Sequence, residues 1–207
     1  VEQMIKVKID GNESREYAKG TSVEKVLSDT LGRKSNAIAA IVDGIEKDMS
    51  HVLSSDCDLI PIDIESEKGI YILRHSCAHL LAQAVTDIFP GAKPTIGPPI
   101  EHGFYYDFDM EPISKEDLPR IEKRMKQLSR ENLQIVREEY DNETLRKMFS
   151  RNEFKIEIMD EKIGHDGGSS AYRQGEFVDL CRGPHVSQTS KIKWFKLTST
   201  SQAYWRG

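Results

Sequence analysis

Residues 4–27, MIKVKIDGNESREYAKGTSVEKVL, decide how the chain begins to fold. Ile5, Val7 and Ile9 alternate with polar neighbours, the period of a half-buried strand. Asp10-Gly11 then signals a hairpin turn, because both residues tolerate left-handed backbone. Thr21-Ser22-Val23-Glu24 reads as a capping box, and Val23, Val26 and Leu27 follow at helical spacing.

Outward from that stretch, residues 37–50, AIAAIVDGIEKDMS, read as another strand with an Asp43-Gly44 turn. Residues 54–64, SSDCDLIPIDI, supply a final apolar strand. The order strand, strand, helix, strand, strand in 1–64 resembles a ubiquitin-like β-grasp. The polar run ESEKG, residues 65–69, is expected to be a linker to a second unit over 70–207.

The second unit opens with a helix expected from Tyr71 to Phe89, stopped by Pro90-Gly91. Residues 94–109, PTIGPPIEHGFYYDFD, read as a loop entering a strand. Ser114 is placed to cap a helix carrying Leu118, Ile121, Met125 and Leu128. LQIVREEY (133–140) reads as a strand, and Asn142 as the cap of a short helix through Phe149. In FKIEIMD (154–160), Phe154, Ile156 and Ile158 alternate with Lys155 and Glu157, which reads as a strand with Lys155 on its solvent face. AYRQGEFVDL (171–180) reads as a hairpin turning at Gln174-Gly175, and IKWFKLTSTSQAYWRG (192–207) as a last strand or two. The expected class is α+β: the small β-grasp unit, then a larger α/β domain whose mainly antiparallel sheet is packed by helices.

With 207 residues, 38% hydrophobic and 30% charged, the chain suits a soluble globular protein rather than a disordered or membrane one. No apolar run approaches the roughly 20 residues of a membrane span. The start, VEQMIKVKID, lacks an apolar export core, so the expected location is the cytoplasm. Cys57, Cys77 and Cys181 are odd in number and form no CxxC, which favours reduced thiols over a disulfide framework. The net charge of −5 argues against broad phosphate-backbone binding. Yet no Asp or Glu follows Asp179, while Arg182, Lys191, Lys193, Lys196 and Arg206 do. That strip either guides one end of a nucleic acid or is a solvated surface.

Two short strings carry the chemistry. In RHSCAHLLAQAV (74–85), His75 and His79 are one helical turn apart and share a face. The zinc-protease pattern has this spacing but needs Glu after the first His, where Ser76 stands. In VDLCRGPHV (178–186), Cys181 and His185 are separated by Arg-Gly-Pro, and Pro184 excludes helix interior. If this turn meets the helix face, three imidazoles and a thiol converge. That set fits either a tetrahedral zinc site or a metal-free hydrolytic site in which imidazoles orient and deprotonate water. Cys77 points away from His75 and is assigned to the core. His51, His102 and His165 have no partners in sequence and are assigned to the surface.

HSCAH followed by CRGPH resembles the editing domain of the threonyl-tRNA synthetases, which alanyl-tRNA synthetase editing domains share. The strings IGPPIEHGFYYDFD, EFVDLCRGPHV and AYWRG fit that family, and the unit before them is similar to its TGS domain. The resemblance covers essentially the whole chain. It implies hydrolysis of serine misesterified to threonine tRNA, with no ATP-dependent aminoacylation by this fragment. Carried over, the catalytic set is His75, His79, Lys155, Asp179, Cys181 and His185, and the substrate-binding set is Tyr106, Gly97, Pro98 and Arg182. The family reading of Lys155 conflicts with the solvent-facing strand its pattern suggests. The resemblance further implies no cofactor, tRNA as partner through its aminoacylated 3′ end, no membrane, a monomeric fragment, and a homodimeric whole enzyme joined through the absent core. Two other readings stay open: a zinc hydrolase liganded by His75, His79, Cys181 and His185, and a non-catalytic tRNA-binding module.

Overall fold

A computed structural model describes residues 3–162 and 170–205. His165, and Arg206 of the basic strip, lie outside the described residues. Two compact units emerge. One comprises the chain up to Leu73 with Gly183–Ser187, and the other Arg74–Arg182 with the segment from Gln188 onward.

The first unit is a five-stranded mixed sheet with one helix. Strands β1 (Met4–Ile9) and β2 (Ser14–Ala18) form the expected hairpin. Asp10 and Gly11 take φ values of 50° and 74°, the left-handed pair that an Asp-Gly turn supplies. Helix α1 (Val23–Leu31) follows. Strands β3 (Ala37–Val42) and β4 (Ile45–Asp48) pair around Asp43-Gly44, so this segment is a hairpin rather than one strand. Strand β5 (Cys57–Asp63) lies in the middle, in the order β2-β1-β5-β3-β4, parallel to β1 and antiparallel to β3. Ile5, Val7, Ile9, Val23, Val26, Leu27, Ala40, Val42, Leu53 and Leu59 make its core. Each large side chain buried there is worth about 1.5–3 kcal/mol, which is why the period-2 and period-3.6 patterns predict it so well.

The cap of α1 differs from the expected one. Ser22, not Thr21, accepts from the Lys25 N–H, and the Thr21 hydroxyl instead donates to the Ala18 carbonyl. Either hydroxyl satisfies the spacing rule, and the turn leading out of β2 decides between them.

Helix α2 (Glu67–Ile88) starts inside the expected linker. Ser66 accepts from the Gly69 N–H and so caps its first turn. A Cβ at Gly69 would stand 1.9 Å from the Asp63 carbonyl oxygen, so the glycine of ESEKG serves close approach rather than linker freedom.

In the second unit, PTIGPPIEHGFYYDFD forms two small antiparallel ladders. Strand β6 (Lys93–Pro94) pairs with β9 (Phe108–Asp109), and β7 (Pro99–Ile100) with β8 (Gly103–Phe104). A short 3₁₀ turn over Lys115–Asp117, closed by a Ser114–Asp117 capping box, leads into helix α3 (Leu118–Glu131). Strand β10 (Ile135–Glu139) begins a three-stranded antiparallel sheet with β11 (Ser170–Gln174) and β12 (Phe177–Leu180), in the order β10-β11-β12. Helix α4 (Asn142–Met148) is capped by Asp141, one residue before the expected Asn142. The β11–β12 turn is centred on Gly175-Glu176, with Gln174 already paired to Phe177.

Two elements depart from the sequence reading outright. FKIEIMD belongs to helix α5 (Glu153–Lys162), not to a strand, and Lys155 is only 4% exposed. Its buried positions, 155, 158 and 159, have helical spacing. The apparent alternation arose because the inward face contains a lysine. Residues 192–205 form no strand; a 3₁₀ turn at Thr189–Lys191 precedes them, and Trp194 is 93% exposed. A row of alternating residues with no neighbouring chain to pair with gains nothing from extension.

No helix among the described residues is long and apolar enough to cross a membrane. The class is thus α+β, with one mixed sheet, one three-stranded antiparallel sheet and two two-stranded antiparallel ladders among the described residues.

Candidate active site

Helix α2 supplies the first two groups. His75 and His79 stand one turn apart with ring centroids 5.1 Å apart, edge to face. Ala78 and Ala82 are fully buried beside them and leave space that larger side chains would fill.

Strand β12 supplies the next. Its pairing places Asp179 opposite Tyr172, buried at 2% exposure. The Asp179 carboxylate meets three partners. Lys155 Nζ lies 2.6 Å from Oδ1, the Tyr106 hydroxyl donates to Oδ2 at 2.5 Å, and His79 Nε2 lies 3.6 Å from Oδ2. Lys155 also donates to the Tyr106 oxygen at 3.0 Å, closing a triangle of lysine, tyrosine and carboxylate. Beyond the end of β12, Cys181 Sγ lies 3.5 Å from His75 Nε2. Residues from α2, the loop before β9, α5 and the β12 end therefore form one connected polar group inside the second unit.

The electrostatics follow from burial and partner charge. Burial pushes the Asp179 carboxyl up, but Lys155 and His79, with hydrogen bonds from Lys155 and Tyr106, outweigh it and hold the group below its ordinary value. Burial lowers His79; Asp179 opposes this and Lys155 adds to it. His75 is pushed down to about 3, chiefly by burial and then by His79, against Asp179. Burial raises Tyr106 well above its usual value, and the neighbouring Asp179 charge adds to this. Near neutral pH the site thus holds two neutral imidazoles, each with a ring nitrogen free of its proton, beside a compensated ion pair. A buried pair of this kind costs several kcal/mol per ion in desolvation and persists only when its hydrogen bonds are completed, as here by Tyr106.

Gly97 has a structural reason. A Cβ there would lie 2.2 Å from Cδ2 of the Tyr106 ring, so only glycine lets that ring lie flat against the chain. Tyr106 itself is 8% exposed, with its hydroxyl committed to Asp179 and Lys155 rather than held out toward a ligand. Pro98 is half-buried next to Gly97, and Arg182 is exposed.

His185 is buried, and its backbone N–H donates to Asp48 Oδ1 at 2.8 Å. Within the second unit, His75, His79 and Cys181 each offer a ligand atom that could hold a metal ion. The neutral imidazoles are in the ligand form. Cys77 is buried and its thiol raised by burial, in keeping with a core position. His102 is exposed beside Glu101, whereas His51 is half-buried and accepts the Val23 N–H through its carbonyl.

Gln83, Gln174 and Asp48 are among the buried polar residues that escaped the sequence reading. Gln83 was within reach, since it continues the four-residue spacing from His75 and His79. Asp48 and Gln174 carried no local signal, because their partners are 137 and 91 residues away in sequence.

Residues 170–203 match the family model described as the threonyl and alanyl tRNA synthetase second additional domain. Similar proteins include the threonine–tRNA ligase of Thermoplasma acidophilum, 46% identical over 84% of this chain and 26% of its own length. That of Thermotoga petrophila is 44% identical over 98% of this chain and 32% of its own. Threonine–tRNA ligase 1 of Bacillus subtilis is 44% identical over 99% of this chain and 32% of its own. The chain spans about a third, or less, of the length of these curated relatives.

Proposed function

We propose that the chain, which matches about a third of the length of the threonine–tRNA ligases, is an editing module of that family: an esterase removing serine wrongly joined to threonine tRNA. Serine lacks one methyl of threonine, and a pocket gains only ~1–3 kcal/mol, about 10–200-fold, from such a difference. A synthetic site therefore admits serine, and a second site must hydrolyse the product. That site accepts serine and excludes the extra methyl.

The reaction adds water to the ester carbonyl. A bond forms between water oxygen and carbonyl carbon, the bond to the ribose oxygen breaks, and one proton moves from water to that oxygen. The observation that carries the reading is the connected group of His75, His79, Tyr106, Lys155, Asp179 and Cys181, with both imidazoles depressed toward neutrality. His75 is the first choice to hold and orient the water, because it is the less buried imidazole; His185 is the second. Asp179 orients His79. Lys155 balances charge developing at the carbonyl. Tyr106 locks Lys155 to Asp179, a role its buried hydroxyl suits better than contact with the terminal adenosine. Cys181 shapes the space beside His75. Gly97 and Pro98 form the pocket wall under Tyr106, and Arg182 is placed to meet tRNA phosphate. The strand order β2-β1-β5-β3-β4 supports reading the first unit as a TGS-like β-grasp auxiliary. The setting is cytoplasmic, and the partner is the aminoacylated 3′ end of tRNA.

A second reading has its own support. His75, His79 and Cys181 of the second unit suit zinc, with His185 the fourth ligand this reading calls for, and the ion would supply an activated water or polarise the carbonyl. Deacylation of Ser-tRNA and Thr-tRNA, with and without chelator, tests both. The metal-free reading expects serine-selective turnover unaffected by chelation. Loss on chelation with stoichiometric zinc favours the metal site, and binding without turnover refutes hydrolysis.

A further inference from the structure

Gln83 lies on α2 four residues beyond His79, and Gln174 closes β11 at the turn into the strand that carries Asp179. Both side chains are buried. They are joined twice: Gln174 Nε2 donates to Gln83 Oε1 at 2.8 Å, and Gln83 Nε2 donates to the Gln174 carbonyl at 3.1 Å. The adjoining turn is equally tight. Gly175 has φ +59°, and a Cβ there would meet Leu133 Cδ1 at 3.3 Å and the Gln83 amide nitrogen at 3.6 Å.

Two apolar side chains of similar size would fill this space without directional demands. An amide pair differs, since each bond is satisfied at only one displacement of helix against strand. A slide or rotation of α2 along the hairpin would leave buried donors and acceptors unpaired, which is strongly unfavourable. The His79–Asp179 contact has slack by comparison: 3.6 Å is longer than a hydrogen bond and does not set its own geometry.

We infer that Gln83 and Gln174 are positioning residues, a reciprocal amide clasp that sets the register of α2 against the β11–β12 hairpin and thereby aligns His79 with Asp179. Neither touches the reacting atoms. The kinetic arm of the test rests on the hydrolase reading above; the spectroscopic arm does not.

The test compares the unaltered chain with the Gln83→Met/Gln174→Met double variant, which keeps volume and removes both bonds. Three readouts apply: urea unfolding, the ring ¹H–¹⁵N signals of His79 (assigned by their loss in His79→Ala), and Ser-tRNA deacylation. The expected result is a folded variant with a modestly lowered urea midpoint, since the Gln174 main-chain carbonyl loses the Gln83 donor, displaced or broadened His79 signals, and kcat lowered about tenfold at unchanged KM. A folded variant with an unchanged His79 spectrum overturns the inference. Should the double variant fail to fold, Gln83→Asn, which withdraws the amide by one carbon, is read by the same signals with the same consequences. If the unaltered chain does not hydrolyse Ser-tRNA at all, the functional reading fails, and the His79 spectrum still decides the clasp.

Discussion

The cores of the two units stabilise themselves by different means. Ten apolar side chains form the main cluster of the first, from β1, α1, β3, β5 and the loop around Leu53, and the buried Asp48 and His185 of that unit lie outside it. The second unit also has apolar clusters around Leu145 and around Ala78, but Tyr106 of the latter leads straight into Lys155, Asp179 and His79. An apolar core loses energy in proportion to what is removed. A buried ionic group loses more when one member goes than when all are replaced, because the orphaned charge remains in a poor environment.

The largest expected effect follows from that contrast. Asp179→Ala leaves Lys155 buried without its carboxylate and should cost about 3–5 kcal/mol by urea unfolding, with deacylation abolished. Replacing both, as Lys155→Met/Asp179→Leu, should recover much of the stability and none of the activity. If the double variant is no more stable than the single one, the contrast between the two cores fails.

Next comes the apolar side of the comparison. Leu59→Ala in β5, fully buried, should cost about 2–5 kcal/mol. With the chain kept folded, its Ser-tRNA turnover should stay within about twofold, the residual of a change outside the site. Gly97→Ala joins packing and chemistry. The Cβ displaces the Tyr106 ring, so we expect about 1–3 kcal/mol of destabilisation together with reduced turnover.

A smaller effect depends on pH. His75 and His79 have folded values below that of free histidine, so the unfolded chain takes up protons that the folded chain refuses. The stability they contribute is present in full above about pH 6.5 and falls as pH drops toward the folded value, about 3 for His75. Between pH 7.5 and 5 the urea midpoint should fall by an amount equivalent to about 2 kcal/mol from His75 alone, with His79 adding in the same direction. His75→Asn should flatten this slope, and an unchanged slope would contradict the burial of His75. Asp179 has the same sign at lower pH: its depressed value makes stability fall below the ordinary aspartate range. Trp194→Ser should change least, within about 0.5 kcal/mol, because the indole is 93% exposed.

Legibility in the sequence follows the same division. The first unit could be read almost strand by strand, since its main buried cluster is apolar and both Asp-Gly turns occupy left-handed backbone. In the second, Ile121, Met125 and Leu128 announced α3 for the same reason. Lys155 defeated the rule. An inward lysine looks like a solvent face to any pattern that equates charge with water, and it turned a helix into an apparent strand. The segment after Ile192 failed in the opposite way, with strand-forming residues but no strand to pair with. Motifs made the His75/His79 and Cys181/His185 pairs visible, whereas Gln83, Gln174 and Asp48 needed partners that no local window contains.

By itself the sequence determined the units' element types wherever burial was apolar, the turns, the helix that sets His75 and His79 on one face, and the candidate residues. Those are local consequences of side-chain period and backbone preference. Tertiary structure alone decided that Lys155 turns inward, that Tyr106 is a member of an ion-pair triangle, that Gly97 makes room for its ring, and that Gln83 meets Gln174. The energy of a buried charge or amide depends on which distant group arrives beside it, and that group is chosen by the packing of the whole unit.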